Sequence, residues 1–295
     1  MRDPQLATLV AEPSADFALL DSGHGRKLER CGPYRFIRPE PQAMWAPAQP
    51  DWEADGEFVG GSDEEGGGRW RLAEAVPPSW PITQAGVKLH AQCTPFRHLG
   101  FFPDMAPHWD ALAAVCKTVS GGADVLNLFG YTGVASLVAA KAGARVVHVD
   151  ASKKAVEQAR ANAQLSGLSE KPIRWLTEDA RKFVAREVRR GRRYDAILLD
   201  PPKFGRGPDG EVWDLTDHLP ALLADCAQLL DASSKLMVLT TYAIRLSALA
   251  LDGLIQPVVV HLPGGVRCGE MAIRDEARGT LLPTAIFACW RPDTP

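Results

Sequence analysis

Four short segments of this 295-residue chain each place residues able to do chemistry directly after an apolar run. The first is Phe129-Gly130-Tyr131-Thr132-Gly133, which follows Asp124-Val-Leu-Asn-Leu128. Its two glycines let the backbone turn sharply and bring amide groups up to a ligand at a helix N-terminus. Thr132 is placed to cap that helix. An ordinary β-to-α turn explains the same residues. The Gly-x-Gly-x-x-Gly spacing of a dinucleotide fingerprint is absent, which weighs against NAD. The second segment is Asp150-Ala151-Ser152, after Arg145-Val-Val-His-Val149. A carboxylate 17 residues beyond Gly133 is placed to accept hydrogen bonds from two ribose hydroxyls. Asp150 or Ser152 can equally cap the next helix.

The third segment, Glu178-Asp179-Ala180, follows Ile173-Arg-Trp-Leu176 and sets a carboxylate where an adenine amino group can be read; a helix cap is the alternative. The fourth is Asp200-Pro201-Pro202-Lys203-Phe204, after Tyr194-Asp-Ala-Ile-Leu-Leu199. Two prolines stop a strand and stiffen its exit, fixing the Asp200 carboxylate and the neighbouring carbonyls. Phe204 offers a face on which a base can stack, or else fills a core.

Four such segments need a scaffold that brings them to one edge. Strands at 124–128, 145–149, 173–176, 194–199 and 235–240 alternate with helices reaching Ala142 and covering 152–166, 179–190 and 216–230. A further helix over 105–119 precedes them. Strands alternating with helices of this length form βαβ units on a parallel sheet covered on both faces, and ligands sit at the carboxyl ends of its strands. The tail breaks the rule: 258–262 and 284–290 read as a closing antiparallel pair. The first third is different again. Thirteen of 23 prolines and five of eight tryptophans precede residue 111. Residues 1–110 carry 10 basic against 16 acidic side chains, and 111–295 carry 23 against 20. Short strands are expected at 35–38, 69–72 and 87–91, little order before residue 20, and a hairpin tip or loop over the glycine-rich 60–68. The division follows as 1–95, a small β-rich substrate-positioning domain, and 96–295.

The ordered set Asn-Leu-Phe-Gly-Tyr-Thr-Gly, Val-Asp-Ala-Ser, Glu-Asp-Ala and Asp-Pro-Pro-Lys-Phe resembles the class I S-adenosylmethionine-dependent methyltransferases, and most of all their bacterial large-subunit ribosomal RNA branch. The resemblance covers about residues 95–295. It implies an α/β Rossmann-like sheet of seven strands with the last antiparallel. It implies that Asn127 and Phe129–Gly133 cradle the methionine part of S-adenosyl-L-methionine, and that Asp150, with Ala151 and Ser152, holds the ribose. Asp179 and Ala180 then meet the adenine, and Asp200 and Pro201 lie beside the reacting methyl, with Lys203 and Phe204 completing the catalytic set. Phe102 and Asp104, in Leu99-Gly-Phe-Phe-Pro-Asp104, line the entrance.

RNA, ribosomal RNA foremost, is the expected partner, with Arg206 and Arg186 meeting its phosphates. A solvated helix face accounts equally for the seven basic residues between Arg181 and Arg193. Arg26, Lys27, Arg35 and Arg38 are local basic spots in the acidic third. The 5-methylcytosine members of this branch carry a cysteine after the fifth strand, where this chain reads Leu239-Thr-Thr-Tyr242, so that chemistry is not expected. Cys226 reads as core and Cys268 as a loop residue able to approach the site. The rivals are methylation of a protein or small molecule, and a cofactor-binding module without catalysis. No metal-ligand spacing, apolar span or signal-like leader is present, and six scattered cysteines suit the cytoplasm.

Overall fold

A computed structural model describes residues 5–60, 67–242 and 245–292. Short apolar segments separated by glycine and proline make strands first. These are β1 (Gln5–Ala11), β2 (Phe17–Gly23), β3 (Arg26–Cys31), β4 (Tyr34–Pro39), β5 (Gly56–Val59), β6 (Arg69–Leu72), β7 (Trp80–Gln84) and β8 (Val87–Ala91). The expected strands at 35–38, 69–72 and 87–91 are therefore present. The expected disorder before residue 20 is corrected, since β1 and the start of β2 lie there. Most of the glycine-rich stretch, 61–66, lies outside the described residues.

The alternating part follows: α1 (Ala106–Thr118), β9 (Asp124–Leu128), α2 (Val134–Lys141), β10 (Arg145–Asp150), α3 (Lys153–Leu165), β11 (Ile173–Thr177), α4 (Ala180–Arg189) and β12 (Ala196–Leu199). A small hairpin, β13 (Phe204–Arg206) and β14 (Val212–Asp214), comes next. Then come α5 (Leu215–Ala227), β15 (Leu236–Tyr242), α6 (Ala248–Val259), β16 (Gly265–Arg274) and β17 (Leu281–Arg291). The main sheet has the order β1-β16-β17-β15-β12-β9-β10-β11. β9 to β12 and β15 pair in parallel, and β17 runs antiparallel to β15 with Val238 opposite Cys289. The expected seven-stranded sheet with an antiparallel last strand is thus present, and β1 adds an eighth strand.

Two compact units result. One contains residues 108–270 and 285–295 with the start of β1, and the other contains 9–107 and 271–284. The division differs from a cut at 95/96, because α1 begins near the change and the tips of β16 and β17 belong with the β-rich unit. In the larger unit, Leu126, Leu128, Phe183, Ile197, Leu223, Met237 and Trp290 are among the buried side chains of one continuous core. In the smaller unit, β2-β3-β4-β5-β6 form a sheet on which Phe36, Trp70 and Trp80 pack ring to ring. Of the tryptophans at 45, 52, 70 and 80, Trp80 is buried and the other three are half-buried.

The tail is corrected. Residues 258–262 are not a strand: 248–259 form α6, capped by Ser247, whose hydroxyl accepts the Leu249 N–H. Ala248, Leu251, Asp252, Ile255 and Val259 fall on its buried face at helical spacing. The strand that pairs with the chain's end is instead β16. Its alternation is interrupted by Gly265, Gly269 and Glu270, which made it read as a loop. Cys268 lies inside it and is fully buried, so it does not reach out of a loop towards the site.

Candidate functional site

The loop after β9 is held from three sides. β9 is a central strand, so it emerges between the ends of β10 and β12. Phe129 (φ 56°), Tyr131 (φ 47°) and Gly133 (φ 86°) are all left-handed, two of them despite carrying a Cβ. Such conformations cost about 1 kcal/mol or more for non-glycine residues and persist only where the surroundings impose them. The impositions are visible. Gly130 N–H donates to the Val149 carbonyl (3.1 Å) and Gly133 N–H to the Gly130 carbonyl (3.0 Å). Tyr131 N–H donates to Asp150 Oδ2 (2.8 Å), and Asn162 Nδ2 on α3 donates to the Thr132 carbonyl (2.9 Å).

Under the loop lies a buried polar chain. Asn127 Nδ2 donates to Ser136 Oγ (2.9 Å), and Ser136 Oγ lies 3.0 Å from His148 Nδ1. The Ser136 hydroxyl and His148 Nδ1 share this hydrogen bond, while Nε2 is buried with no partner among the described residues. Burial pulls the His148 pKa down to about 3, so the ring is neutral. A Cβ on Gly130 would lie 2.5 Å from His148 Cε1 and 3.0 Å from Asn127 Nδ2, so only glycine fits above this ring. Asn127, expected to line the cofactor, spends its side-chain amide on this brace instead. Thr132 is buried and does not cap α2. The cap position falls on Gly133, without any side-chain cap. The first-turn amides of α2 therefore lack intrahelical acceptors and carry the positive end of the helix dipole.

Asp150 ends β10 at the same sheet edge. Its Oδ1 accepts Ser152 N–H (2.8 Å) while Oδ2 holds Tyr131. Burial raises its pKa, although these two bonds oppose the shift. An ionised carboxylate has about four acceptor sites, so two remain for a diol. Ala151 completes the turn, and Ser152 caps α3 through Ala155 N–H (3.2 Å). The Tyr131 phenol is pushed up by burial and then by Asp150, and stays neutral.

Asp179 is the N-cap of α4. It accepts Lys182 N–H (3.1 Å) and pairs with Arg181 (3.2 Å), and Ala180 begins the helix and is buried. Arg186 is bound through both guanidinium nitrogens by Glu178 and lies over the Phe183 ring. Arg190 and Arg192 pair with Glu187, and Lys182 with Glu211. The basic run is therefore largely matched by acids within the chain, which favours the helix-face reading over a phosphate track. Lys27 and Arg38 are likewise buried against Glu29.

The Asp200–Phe204 segment leaves β12, and it too is strapped. Trp213 Nε1 donates to the Pro202 carbonyl (2.7 Å), and Leu215 N–H donates to the Lys203 carbonyl (2.9 Å). Trp213 is buried, and its ring lies 5.0 Å from Phe129 and 5.7 Å from His218. One side chain thus touches both motif loops. In the sequence Trp213 stands apart from the five tryptophans that precede residue 111 and belongs to none of the four motifs. The available signal was an apolar residue directly before the Asp214 cap of α5. Asp200 is half-buried and Pro201 is buried. Phe204 is 62% exposed with Lys203 Nζ over its ring (5.1 Å), so it is not a core residue. Arg206 is exposed on β13. Phe102 and Asp104 fall in the other unit. There Phe102 meets His98 (5.2 Å), and Asp104 bonds Thr284 while burial raises its carboxyl.

At the position where a cysteine nucleophile would follow the fifth strand, Leu239–Tyr242 are the end of β15 itself, and Thr240 Oγ1 is 3.5 Å from the Leu199 carbonyl. All six cysteines are free thiols with raised pKa, desolvation being the first cause in each. Among the described residues there is no cluster of side chains able to hold a metal ion, and no helix is long and apolar enough to cross a membrane.

A parallel sheet with an antiparallel last strand, a glycine loop after its first strand in the chain order of the unit, an acid after the second and Asp-Pro-Pro after the fourth define a class I methyltransferase. The chain belongs to the S-adenosylmethionine-dependent methyltransferase family, whose profile matches residues 64–249. It is similar to a crystallised SAM-dependent methyltransferase from Agrobacterium tumefaciens, at 46% identity and TM-score 0.92 over 99% of this chain and 97% of that one. It is also 33% identical to ribosomal RNA large subunit methyltransferase I of Erwinia tasmaniensis over 134 residues, which is 45% of this chain and 33% of that protein. The Aeromonas salmonicida protein of the same name is 38% identical over 42% of this chain and 30% of its own length. The matches thus span about a third of these relatives. The donor set fits the family's cofactor: the α2 amides without a side-chain cap suit its carboxylate, and the remaining acceptor sites of Asp150 suit a diol.

Proposed function

We propose that the protein transfers the methyl group of S-adenosylmethionine to RNA, with ribosomal RNA as the substrate. The observation that carries this reading is the Asp200–Phe204 loop, strapped by Trp213 and Leu215 and presenting the exposed ring of Phe204 with Lys203 Nζ over it. A stiff loop with a carboxylate and a flat exposed ring suits a planar base. The relatives named for ribosomal RNA support the same substrate. In this reading the loop 129–133 and the α2 amides hold the methionine part, Asp150 the ribose and Asp179 the adenine. Arg206 is the phosphate contact; Arg186, already held by Glu178, supplies charge to the helix face.

When bound, S-adenosylmethionine supplies an electrophilic methyl on a positively charged sulfur. Asp200 orients the substrate atom in line with that methyl and takes the proton if the atom is an amine nitrogen. Lys203 and Phe204 fix the base against the loop. A cysteine-dependent route to 5-methylpyrimidine is not part of this reading, because it needs a thiolate to activate the ring and every thiol here is held protonated. A cytoplasmic location goes with an RNA substrate and with six free thiols.

Mass spectrometry of nucleosides in ribosomal RNA from cells with and without the gene tests the substrate. One methylated nucleoside should disappear and should return with the wild-type gene but not with Asp200→Asn. An unchanged nucleoside set would move the assignment to a protein or a small molecule.

A further inference from the structure

Residues 92–99 of the β-rich unit close a tight turn. Gln92 N–H donates to the Leu99 carbonyl (3.1 Å), Thr94 N–H to His98 (3.1 Å) and Arg97 N–H to Thr94 (3.2 Å). The Thr94 hydroxyl also donates to the His98 carbonyl (2.8 Å). Two side chains clamp the turn from outside: Trp70 Nε1 binds the Thr94 carbonyl (2.7 Å), and the Arg38 guanidinium binds the Arg97 carbonyl (2.9 Å). Arg97 is held left-handed, at φ 61°. A turn under no demand for a fixed shape would put glycine or asparagine there, at about 1–2 kcal/mol less strain.

What this turn presents is Phe96, with 77% of its surface exposed. Its ring is stacked on the His98 imidazole, centroids 6.4 Å apart and planes within 19°. His98 in turn meets Phe102 at 5.2 Å. Burial, followed by the charges of Arg38 and Arg97, pulls the His98 pKa down to about 4, so the middle ring is neutral at pH 7. The three rings form a ladder whose outer rung is bare. Phe96 has only Pro95 and Arg97 beside it in the chain, and no other exposed large apolar side chain belongs to the turn. A protein partner or a lipid surface favours a contiguous apolar patch, and the turn itself offers no second exposed large apolar side chain. A lone flat ring on a rigid support, next to an arginine, matches how unpaired bases are stacked and their phosphates met.

We propose that Phe96 is a stacking platform for an unpaired nucleobase of the RNA substrate, held in place by the turn 92–99. This rests on the RNA reading above and deepens it by naming a residue of the β-rich unit that grips the substrate.

The test uses the full chain and fluorescein-labelled fragments of ribosomal RNA prepared from cells lacking the gene. Anisotropy gives the RNA Kd, and calorimetry gives the S-adenosylmethionine Kd. A stacked base contributes about 1–3 kcal/mol, so Phe96→Ala should weaken RNA binding about 5–150-fold. Phe96→Trp should bind as well as wild type or better. Phe96→Leu should behave like Phe96→Ala, because it keeps apolar surface and loses the flat face. Cofactor binding should stay constant throughout, which shows that each variant is folded. Wild-type-like RNA binding by either the alanine or the leucine variant overturns the stacking role while leaving the RNA reading intact. Failure of the wild type to bind RNA overturns both.

Discussion

Gly130→Ala is the sharpest perturbation of the cofactor loop. Gly130 is not at a left-handed φ, so alanine meets no backbone penalty there. Its Cβ would instead lie 2.5 Å from His148 Cε1 and 2.6 Å from Nδ1. Ordinary carbon contacts are about 3.5–4.0 Å, so the overlap is about 1 Å. The ring cannot retreat easily. It is fully buried, bonded to Ser136 and packed on Trp175 with centroids 4.8 Å apart. Overpacking of this kind costs about 1–3 kcal/mol. The loop carries the added Cβ and should absorb the shift, straining the bond from Tyr131 N–H to Asp150. Calorimetry should then show S-adenosylmethionine binding weakened about 5–150-fold. The double variant Gly130→Ala, His148→Ala removes the obstacle. It should bind the cofactor more tightly than the sum of the single effects allows, with a coupling of about 1 kcal/mol or more. Strictly additive losses, or an unaffected single variant, would refute the steric argument.

Trp213→Phe keeps most of the ring packing and deletes the bond to the Pro202 carbonyl, worth about 0.5–1.5 kcal/mol. It should lower the rate of methyl transfer more than the affinity for cofactor, and equal losses in both would place Trp213 outside the loop's control. Asp150 has a raised pKa in the folded protein, so cofactor affinity should fall as pH drops through a value above the ordinary 3.8. In Asp150→Asn affinity should be weaker and free of that dependence; a persisting pH profile would assign it to another group. His98, His108 and His148 are pulled down to about 4, 4 and 3 from 6.5, all by burial first. Their contribution to stability is present above 6.5 and lost as pH falls through that value towards 3–4. The urea midpoint should therefore decline below pH 6.5, with the raised carboxyls Asp104, Asp150 and Asp252 offsetting part of the decline at its acid end. A flat profile from pH 7 to 5 would remove the three histidines from the account.

Periodicity carried most of the larger unit. Leu219, Leu222, Leu223 and Cys226 lie on the buried face of α5, and every strand from β9 to β12 starts and ends within a few residues of its apolar run. The helix α6 was lost because Val258, Val259 and Val260 are β-branched and look like strand, while tertiary burial of Leu251, Ile255 and Val259 selects the helix. β1 and β16 were lost for the opposite reason. Their pairing is non-local, and a segment such as Gly265–Arg274 shows its strand character only beside its neighbours in the sheet.

The order of motifs, and the family they belong to, is written in the chain itself, because strand exits must carry the residues that meet the ligand. Asp150, Asp179, Asp200 and the 129–133 loop are legible for that reason. What each side chain does with its hydrogen bonds is not. Asn127 turned out to hold Ser136, Arg186 to hold Glu178, and Trp213 to hold Pro202, because partners distant in sequence became neighbours only on folding. Local pattern fixes where a residue sits along a strand or helix. Burial and the need to satisfy every buried polar group decide which partner it takes, and that is settled by the packed structure alone.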